Sequence, residues 1–292
     1  MKILVTGSGG LLGRKIVETA VERGYEVFAI YRERPPPAGV SIRMDLGEVE
    51  KISELARIKP DVVIHAAAIT NVDSCELNRE LAWRINAEVT ARLVQIFPEA
   101  HFIYVSTDYV FDGESGQYRE GDPPNPINYY GYTKLRGEEY VRTYSKKWTI
   151  ARTSAVYGWG PRENFATWLI DSLKRGVEVR VVVDQYVSPT LNTNLAEMLL
   201  DIAERGLTGI IHTAGASRVS RYHFALKIAE VFQLDPTYIK PVVMAEMKWV
   251  AKRPRDSSLS VEKAMLQLRA KPLDIDSALR VMKAEEGYAY SR

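Results

Sequence analysis

A glycine-rich turn between an apolar strand and a helix constrains the fold of this chain more than any other feature. The apolar run Lys2–Thr6 is followed by Gly7-Ser8-Gly9-Gly10-Leu11-Leu12-Gly13, which opens a helical pattern. Glycine permits a tight turn, lets the backbone approach a pyrophosphate and allows close packing of helix on strand. The first amides of that helix would face the phosphates. This context predicts a dinucleotide-binding fold.

Short β-rich runs alternate with helical patterns in the first half of the chain. The predicted strands are Lys2–Thr6, Glu26–Tyr31, Ser41–Met44, Asp61–Ala66, His101–Ser106 and Thr149–Thr153, with helices that include Gly13–Arg23, Asn86–Gln95 and about 193–205, 220–233 and 274–284. Such alternation indicates right-handed βαβ units. We therefore predict an α/β protein, with a Rossmann-type doubly wound parallel sheet and a smaller C-terminal substrate-binding α/β domain.

The predicted division of the chain follows the change in pattern after residue 155. We expect residues 1–154 and about 191–234 to form the dinucleotide-binding domain. Residues about 155–190 and 235–292 would form the substrate-binding domain. The Pro35–Pro37 run reads as a rigid surface loop, because the strand pattern resumes directly after it.

Composition excludes several classes of protein. The 292 residues are 46% hydrophobic and 26% charged, and a net charge of +2 does not suggest a nucleic-acid or membrane-surface protein. No apolar run approaches the ~18 residues that span a bilayer. The single cysteine, Cys75, excludes an intramolecular disulfide, so we expect a cytoplasmic protein. The four histidines have no ligand-like spacing, and we predict no metal site.

The end of the second predicted strand bears on cofactor choice. Arg32 can form a charge-assisted fork to a 2′-phosphate, which favours NADP(H). Glu33 can accept a bond from a ribose 2′-hydroxyl, so NAD(H) stays open. Asp45 reads equally as a contact to the adenine amino group or as a helix N-cap. The expected cofactor contacts are Gly7, Gly9, Gly10, Leu11, Leu12, Gly13, Tyr31, Arg32, Asp45, Leu46, Ala66, Ala67, Ala68, Ser106, Tyr130 and Lys134.

A tyrosine and a lysine four residues apart, Tyr130 and Lys134, would share one face of a helix. An ammonium beside a phenol stabilises the phenolate, so we expect Tyr130 to release its proton near neutral pH. The hydroxyl of Thr107, from another element, would hold a substrate oxygen at that phenol. The three groups predict a proton-donating site for a carbonyl that receives hydride.

Taken together, these motifs resemble the extended short-chain dehydrogenase/reductases and, within them, the dTDP-4-dehydrorhamnose reductases. The resemblance covers nearly the whole chain. It rests on Thr6-Gly7-x-x-Gly10-x-x-Gly13, His65–Ala68, Val72-Asp73-x-Cys75-Glu76, Asn86, Ser106–Gly113, Tyr130-Gly131-x-Thr133-Lys134-x-x-Gly137-Glu138, Arg152–Ser154, Asp184-Gln185-x-x-Ser188-Pro189-Thr190 and Arg253-Pro254.

The resemblance implies a chemistry as well as a fold. Thr107, Tyr130 and Lys134 would be the catalytic set, with Asn86 supporting it structurally. A nicotinamide would deliver hydride to the C4 ketone of a nucleotide-linked sugar, while Tyr130 protonates the oxygen. The residues that it suggests for substrate are Asp108, Tyr109, Asn164, Gln185 and Arg253.

Three local differences from the family bear on substrate. Ala155 stands where many relatives have Trp, extra residues Trp159–Glu163 precede Asn164, and Arg255 follows Arg253-Pro254. We expect all three on the substrate side. Trp159 reads either as a replacement aromatic platform or as loop packing, and Arg253 either as a diphosphate contact or as part of a salt bridge.

Dehydratases, epimerases and a regulatory subunit carry motifs similar to these, and each represents an alternative function. Related 4,6-dehydratases usually carry Asp-Glu after the catalytic Thr, whereas this chain has Asp108-Tyr109, so ketone reduction is the better interpretation. An epimerase would use the same three residues. A third hypothesis is an NADP-binding regulatory subunit similar to the β subunit of methionine adenosyltransferase, associated with a larger enzyme. A homodimer is the other association that we consider.

Overall fold

The computed structural model describes residues 1–289. Its strands are β1 (Lys2–Thr6), β2 (Glu26–Tyr31), β3 (Val40–Arg43), β4 (Val62–His65), β5 (His101–Thr107), β6 (Lys147–Thr153), β7 (Val156–Tyr157), β8 (Val179–Val182), β9 (Tyr186–Val187), β10 (Thr190–Leu191), β11 (Gly209–His212), β12 (Val219–Ser220) and β13 (Ile239–Val242). Its α-helices are α1 (Leu11–Glu22), α2 (Val72–Leu77), α3 (Arg79–Trp83), α4 (Val89–Ile96), α5 (Tyr129–Tyr144), α6 (Phe165–Lys174), α7 (Asn192–Arg205), α8 (Arg221–Phe232), α9 (Glu262–Gln267), α10 (Ile275–Ala284) and α11 (Glu286–Ala289). One π-helical turn, Arg84–Glu88, runs directly into α4, and 3₁₀ segments occupy Val49–Ile58, Asp108–Val110, Pro236–Tyr238 and Met244–Glu246.

A parallel sheet of seven strands organises the described part of the chain, in the order β11-β6-β5-β4-β1-β2-β3. Every neighbouring pair in it is parallel. The chain builds outward from β1 to β3 and then crosses back to β4, so the strand order reverses between β1 and β4. Ligands of open α/β sheets bind at the carboxyl ends of the strands beside such a reversal. The predicted fold class is confirmed.

Alternating side chains of the central strands serve two hydrophobic layers. Ile3 and Val5 of β1 pack with α1 and α7 on one face, whereas Leu4 packs with α4 on the other. This alternation is the period of two that a strand imposes. Because both faces are covered, the strands are apolar throughout, as expected of a parallel sheet.

A second apolar cluster lies outside the main sheet. It joins α6, α8 and α10 with β8, which pairs in parallel with β13. Helix α8 belongs to this cluster, although residues up to about 234 were assigned to the dinucleotide-binding domain from the sequence. The domain division itself stays a prediction. None of the helices in residues 1–289 is long and apolar enough to cross a membrane.

Candidate active site

The three predicted catalytic side chains lie together at the carboxyl end of the sheet. Thr107 ends β5, while Tyr130 and Lys134 lie one turn apart at the start of α5. All three are buried, with 5%, 9% and 3% of their surfaces exposed. The side chains of Thr107 and Tyr130 are hydrogen-bonding partners. Helix α5 begins here because the Asn128 side chain accepts a bond from the Gly131 amide at 2.9 Å.

Burial governs the protonation of the tyrosine. It raises the pKa of Tyr130 above its usual value, and the hydrogen bond with Thr107 opposes that rise only in part. The expectation of a phenol that releases its proton near neutral pH is therefore not met in the structure. Desolvation disfavours the phenolate, so Tyr130 is held as the protonated acid.

Lys134 is buried with an aromatic ring against its ammonium. Its Nζ lies 4.0 Å from the centre of the Tyr104 ring, a cation–π geometry. Burial lowers the pKa of Lys134 to about 7, and the nearby Glu138 carboxylate counteracts this effect. Near neutral pH the Lys134 side chain can therefore exist as the ammonium or as the neutral amine.

Glu138 itself is held in a buried ion pair. Arg152 donates to its two carboxylate oxygens at 2.9 and 2.7 Å. Ser106 donates to the same carboxylate at 2.5 Å, so its hydroxyl is already engaged within the protein. The ion pair ties the middle of α5 to β5 and β6 beneath the catalytic side chains.

Asn86, to which the family resemblance assigns a supporting role, hydrogen-bonds two segments next to the predicted catalytic side chains. Its side chain accepts from the Ile69 amide at 2.8 Å and donates to the Ile69 carbonyl and the Thr133 hydroxyl, both at 3.1 Å. It lies in the π-helical turn that precedes α4. Such turns are frequent at functional sites. Asn86 thus joins the loop after β4 to helix α5.

Asp108 is buried behind Thr107 and accepts from three hydroxyls. Thr107 donates at 3.1 Å, Ser154 donates at 2.8 Å, and Ser257 also donates to it. Burial raises the pKa of the Asp108 carboxyl, and these three bonds counteract the rise. The structure therefore places Asp108 where it orients Thr107, although the sequence suggested a substrate contact.

Tyr109 lies beside Tyr130. Its ring meets that of Tyr130 edge-on with centres 5.9 Å apart. Burial raises the pKa of the Tyr109 phenol. The Gln185 amide approaches the Tyr109 hydroxyl at 3.5 Å. These two predicted substrate residues therefore lie together beside Tyr130.

The other two predicted substrate residues are engaged within the protein. The Asn164 side chain caps α6 and donates to the Gly158 carbonyl at 2.8 Å. Arg253 pairs with the Asp73 carboxylate at 2.9 Å, which corresponds to the salt-bridge interpretation of this residue.

The glycine-rich turn leaves backbone space that any side chain would close. Gly7 has a φ of +69°, and a Cβ there would collide with the backbone of Ala67. A Cβ at Gly9 would collide with the Arg34 carbonyl, and one at Gly13 with the Gly7 carbonyl. Close backbone approach around an open turn at a helix N-terminus fits a pyrophosphate. The residues present therefore fit a dinucleotide.

The remaining predicted cofactor residues surround this turn. Tyr31 ends β2 and Arg32 follows it directly, while Ala66 to Ala68 follow β4. Arg32 donates to the Glu33 carboxylate at 2.6 Å. Asp45 accepts from the Gly47 amide at 2.9 Å, whereas the following 3₁₀ segment has Glu48 at its N-cap. The N-cap interpretation of Asp45 is therefore wrong, because the helical segment begins four residues later, at Val49. Leu46 is buried beside it.

The segment 158–163 lies elsewhere than the sequence suggested. Asn192 donates both to the Leu11 carbonyl at 3.2 Å and to the Trp159 carbonyl at 3.1 Å. The segment is thus fixed against the start of α1, on the cofactor side, which corrects the expected substrate-side position. Trp159 packs edge-on against Phe232 and donates to the Met282 carbonyl, so it is loop packing rather than a sugar platform.

A cleft of about 750 Å³ lies between α1, the segment 158–163 and α6. It includes Arg14, Trp159, Arg162 and Lys174 but none of the three catalytic side chains. In the described residues no group of three or more His, Cys, Asp or Glu side chains is arranged to hold a metal ion.

Sequence reasoning missed two features of this site. The Ser154–Asp108–Ser257 arrangement joins residues up to 149 positions apart, and no local pattern marks it. Cys75, to which the sequence analysis assigned no role in the site, packs in a small buried cluster with Tyr109 and Tyr130. Burial raises the pKa of its thiol to about 11, so it stays neutral beside the phenol.

The chain is similar to known proteins along nearly its whole length. The family model described as "RmlD substrate binding domain" matches residues 1–286. A probable low-salt glycan biosynthesis reductase, Agl14, from Haloferax volcanii is 36% identical over 97% of this chain and 98% of its own length. A dTDP-4-dehydrorhamnose reductase from Aggregatibacter actinomycetemcomitans is 33% identical, with 97% and 98% covered.

A solved structure and a more distant relative extend this comparison. The Bacillus anthracis dTDP-4-dehydrorhamnose reductase, crystallised in complex with NADP, superposes with a TM-score of 0.88 at 29% identity, covering 97% of this chain and 99% of that one. The methionine adenosyltransferase 2 subunit beta of Danio rerio is 28% identical, with 96% of this chain and 89% of the relative covered.

Proposed function

The chain belongs to the dTDP-4-dehydrorhamnose reductase family of extended short-chain dehydrogenase/reductases, and from that premise we propose that it reduces the C4 ketone of a nucleotide-linked 4-keto-6-deoxy sugar. It is an NAD(P)-dependent oxidoreductase, with NADP(H) the favoured cofactor. The observation that carries the proposed reaction is the buried contact of Thr107 with Tyr130, one helical turn from Lys134.

The proposed reaction converts the ketone to a secondary alcohol by addition of a hydride and a proton. The reduced nicotinamide, when bound, supplies the hydride to the carbonyl carbon. Tyr130 donates the proton to the carbonyl oxygen. Because burial raises the pKa of Tyr130, the phenol enters the reaction in the acid form that a reduction needs.

Thr107 and Lys134 support this proton transfer in different ways. The Thr107 hydroxyl, held by Asp108 at 3.1 Å, would align the ketone oxygen with the phenol. Lys134, with a pKa lowered to about 7, would hold the nicotinamide ribose and return a proton toward Tyr130 after turnover. The Tyr104 ring, whose centre lies 4.0 Å from Lys134 Nζ, helps to position the ammonium.

The residue after Asp108 favours reduction over dehydration. Elimination of water needs a general base at this position, which related dehydratases fill with Glu. Tyr109 stands there, and burial raises the pKa of its phenol. A neutral, buried phenol cannot remove a proton from a sugar carbon at neutral pH.

The decisive experiment measures NADPH and NADH consumption by the purified protein with a dTDP-4-keto-6-deoxy sugar. We expect NADPH to be consumed faster. Tyr130→Phe should lower turnover by roughly 10²- to 10⁴-fold, the usual contribution of a general acid, with NADPH binding unchanged. Tyr132→Phe, a half-exposed phenol on the same helix, is the matched control and should retain parental activity.

Other outcomes separate the remaining functions. Turnover by Tyr130→Phe at the parental rate would show that another group donates the proton. Conversion of the sugar without net loss of NADPH would indicate an epimerase. Binding of NADP with no consumption, together with stable co-purification of a catalytic partner, would indicate a regulatory subunit, as the zebrafish relative's name describes for that protein.

A further inference from the structure

The segment 158–163 comes from the C-terminal half of the chain but lies at the cofactor turn. Asn192 bridges the Leu11 and Trp159 carbonyls, and a Cβ at Gly160 would meet the Leu11 side chain at 2.6 Å. Gly160 therefore allows the segment to approach the first turn of α1. Trp159 fixes the other side by donating to the Met282 carbonyl at 2.7 Å. The backbone that carries Arg162 is thus anchored at two points.

Arg162 projects from this segment toward the end of β2. Its Nη2 lies 3.7 Å from the Glu33 carboxylate. Arg32 donates to that carboxylate through Nε at 3.0 Å and Nη2 at 2.6 Å. Arg34 adds a third nearby guanidinium, and together with Arg162 it assists Arg32 in lowering the pKa of Glu33. One carboxylate is therefore surrounded by three cations.

The Glu33 carboxylate, just beyond the carboxyl end of β2, interacts with three guanidinium groups, those of Arg32, Arg34 and Arg162. Among these four side chains the positive charges outnumber the negative one. In dinucleotide-binding folds this position faces the 2′ substituent of the adenosine ribose. A phosphate monoester carries about −1.5 to −2 charges and three acceptor oxygens near neutral pH, which suits two guanidinium forks better than one carboxylate does.

The side chains of Glu33, Arg32 and Arg162 are exposed enough to change position when a ligand binds. The Glu33 and Arg32 side chains are each 55% exposed, and that of Arg162 is 62% exposed. Ion pairs at this exposure contribute little to stability, so exchanging the carboxylate for a dianion costs the protein little.

We propose that Arg162 and Arg32 form a two-sided clamp for the 2′-phosphate of NADP(H), and that the Glu33 carboxylate occupies the anion position until the phosphate displaces it. The inference rests on the proposed function only for the class of cofactor. Selectivity residues of this fold are usually sought in the first half of the chain. The proposal assigns cofactor selectivity to Arg162, which lies in the second half. It also gives Glu33 two uses, since with NAD(H) the same carboxylate can accept from the ribose 2′-hydroxyl.

The test uses adenosine 2′,5′-bisphosphate and 5′-AMP, which differ by the 2′-phosphate and contain neither nicotinamide nor sugar. Calorimetric titration of Arg162→Ala should show about tenfold weaker binding of the bisphosphate, because one charge-assisted contact is lost. Binding of 5′-AMP should change by less than about twofold. Glu33→Gln should bind the bisphosphate several-fold more tightly, because the competing carboxylate is gone.

Arg175→Ala is the matched control for Arg162→Ala. Arg175 is also 62% exposed and pairs with Asp171 on the surface of α6, so its loss removes an equally exposed charge away from β2. It should change neither titration. Melting temperatures of all variants should stay within a few degrees of the parent, since every substituted side chain is on the surface.

Two results would overturn the inference. An equal loss of affinity for both nucleotides in Arg162→Ala, or no loss for either, would mean that Arg162 does not contact the 2′-phosphate. Weaker or unchanged bisphosphate binding by Glu33→Gln would mean that Glu33 is not displaced by it. Neither result affects the proposed ketone reduction, and absence of sugar reduction would leave the nucleotide titrations interpretable.

Discussion

At the scale of single residues, the site contains a buried carboxylate that accepts hydrogen bonds from three hydroxyl groups. Asp108 accepts from Thr107, Ser154 and Ser257, and three hydroxyl donors around one buried carboxylate leave little freedom for any of them. A buried, satisfied polar network of this kind fixes rotamers. The orientation of the Thr107 hydroxyl is therefore set before substrate arrives.

We predict that Asp108→Asn lowers kcat by about tenfold or more. The amide presents donors to hydroxyls that are themselves donors, so at least one buried bond is lost, at a cost of roughly 1–3 kcal/mol. Steady-state kinetics should show a fall in kcat with little change in the NADPH dissociation constant. Asp235→Asn, on a surface turn where Asp235 bonds Thr237, serves as control. A parental kcat in Asp108→Asn would mean that Thr107 is oriented by other contacts.

At the scale of elements, the position of the catalytic helix depends on a glycine at its middle. Gly137 of α5 faces the Tyr104 hydroxyl and the Asn86 carbonyl. Tyr104 is fully buried, and its ring supports the Lys134 ammonium. The absence of a side chain at residue 137 thus lets α5 approach both the π-helical turn and the sheet.

We predict that Gly137→Ala destabilises the protein by about 1–3 kcal/mol, the usual cost of overpacking, despite the better helix propensity of Ala. Displacement of the Tyr104 ring should also move Lys134 and lower kcat. Urea denaturation and turnover measure the two effects. In Gly121→Ala the new Cβ would meet no atom within 4 Å, so this control should stay within about 0.5 kcal/mol of the parent. Equal stability of the two variants would contradict the prediction.

At this scale, some features of the fold could be predicted from the sequence and others could not. The glycine-rich turn, the Tyr–Lys pair and the strands through residue 153 are local patterns, and the structure contains each of them. The π-helical turn at Asn86 was predicted as ordinary helix, because its geometry depends on bonds to Ile69 and Thr133, which lie 17 and 47 positions away. Strand β11 was missed because its apolar run contains only Ile210 and Ile211, which is too short to distinguish from a loop.

At the scale of the whole molecule, buried histidines make the stability of the protein depend on pH. His65 bonds Thr6 and Thr90, His101 bonds Thr149, and His212 approaches the Ser260 carbonyl. Burial lowers the pKa of His65 to about 3 and of His101 to about 4, and it also lowers the pKa of His212. In the unfolded chain a histidine has a pKa of about 6.5. Below that pH the unfolded chain therefore binds more protons than the folded one.

We predict that the free energy of unfolding falls as pH drops from 6.5 toward 5, by up to about 1.4 kcal/mol per pH unit for each of these histidines. Urea denaturation at pH 7.5, 6.0 and 5.0 gives the slope. His212→Gln should reduce it, whereas His223→Asn, on an exposed position, should not. A stability that is flat between pH 7.5 and 5 would show that these histidines are not held neutral.

The order of strands in the sheet also bears on how the protein is made. Strand β6 lies between β5 and β11, and its partner residues 209–212 are translated some sixty positions after it. At about 5–20 residues per second, the ribosome leaves the apolar edge of β6 without its neighbour for roughly 3–12 seconds. An open, apolar strand edge is a template for pairing with other chains. We therefore expect the nascent protein to be more prone to aggregate during this interval than after β11 has paired with β6.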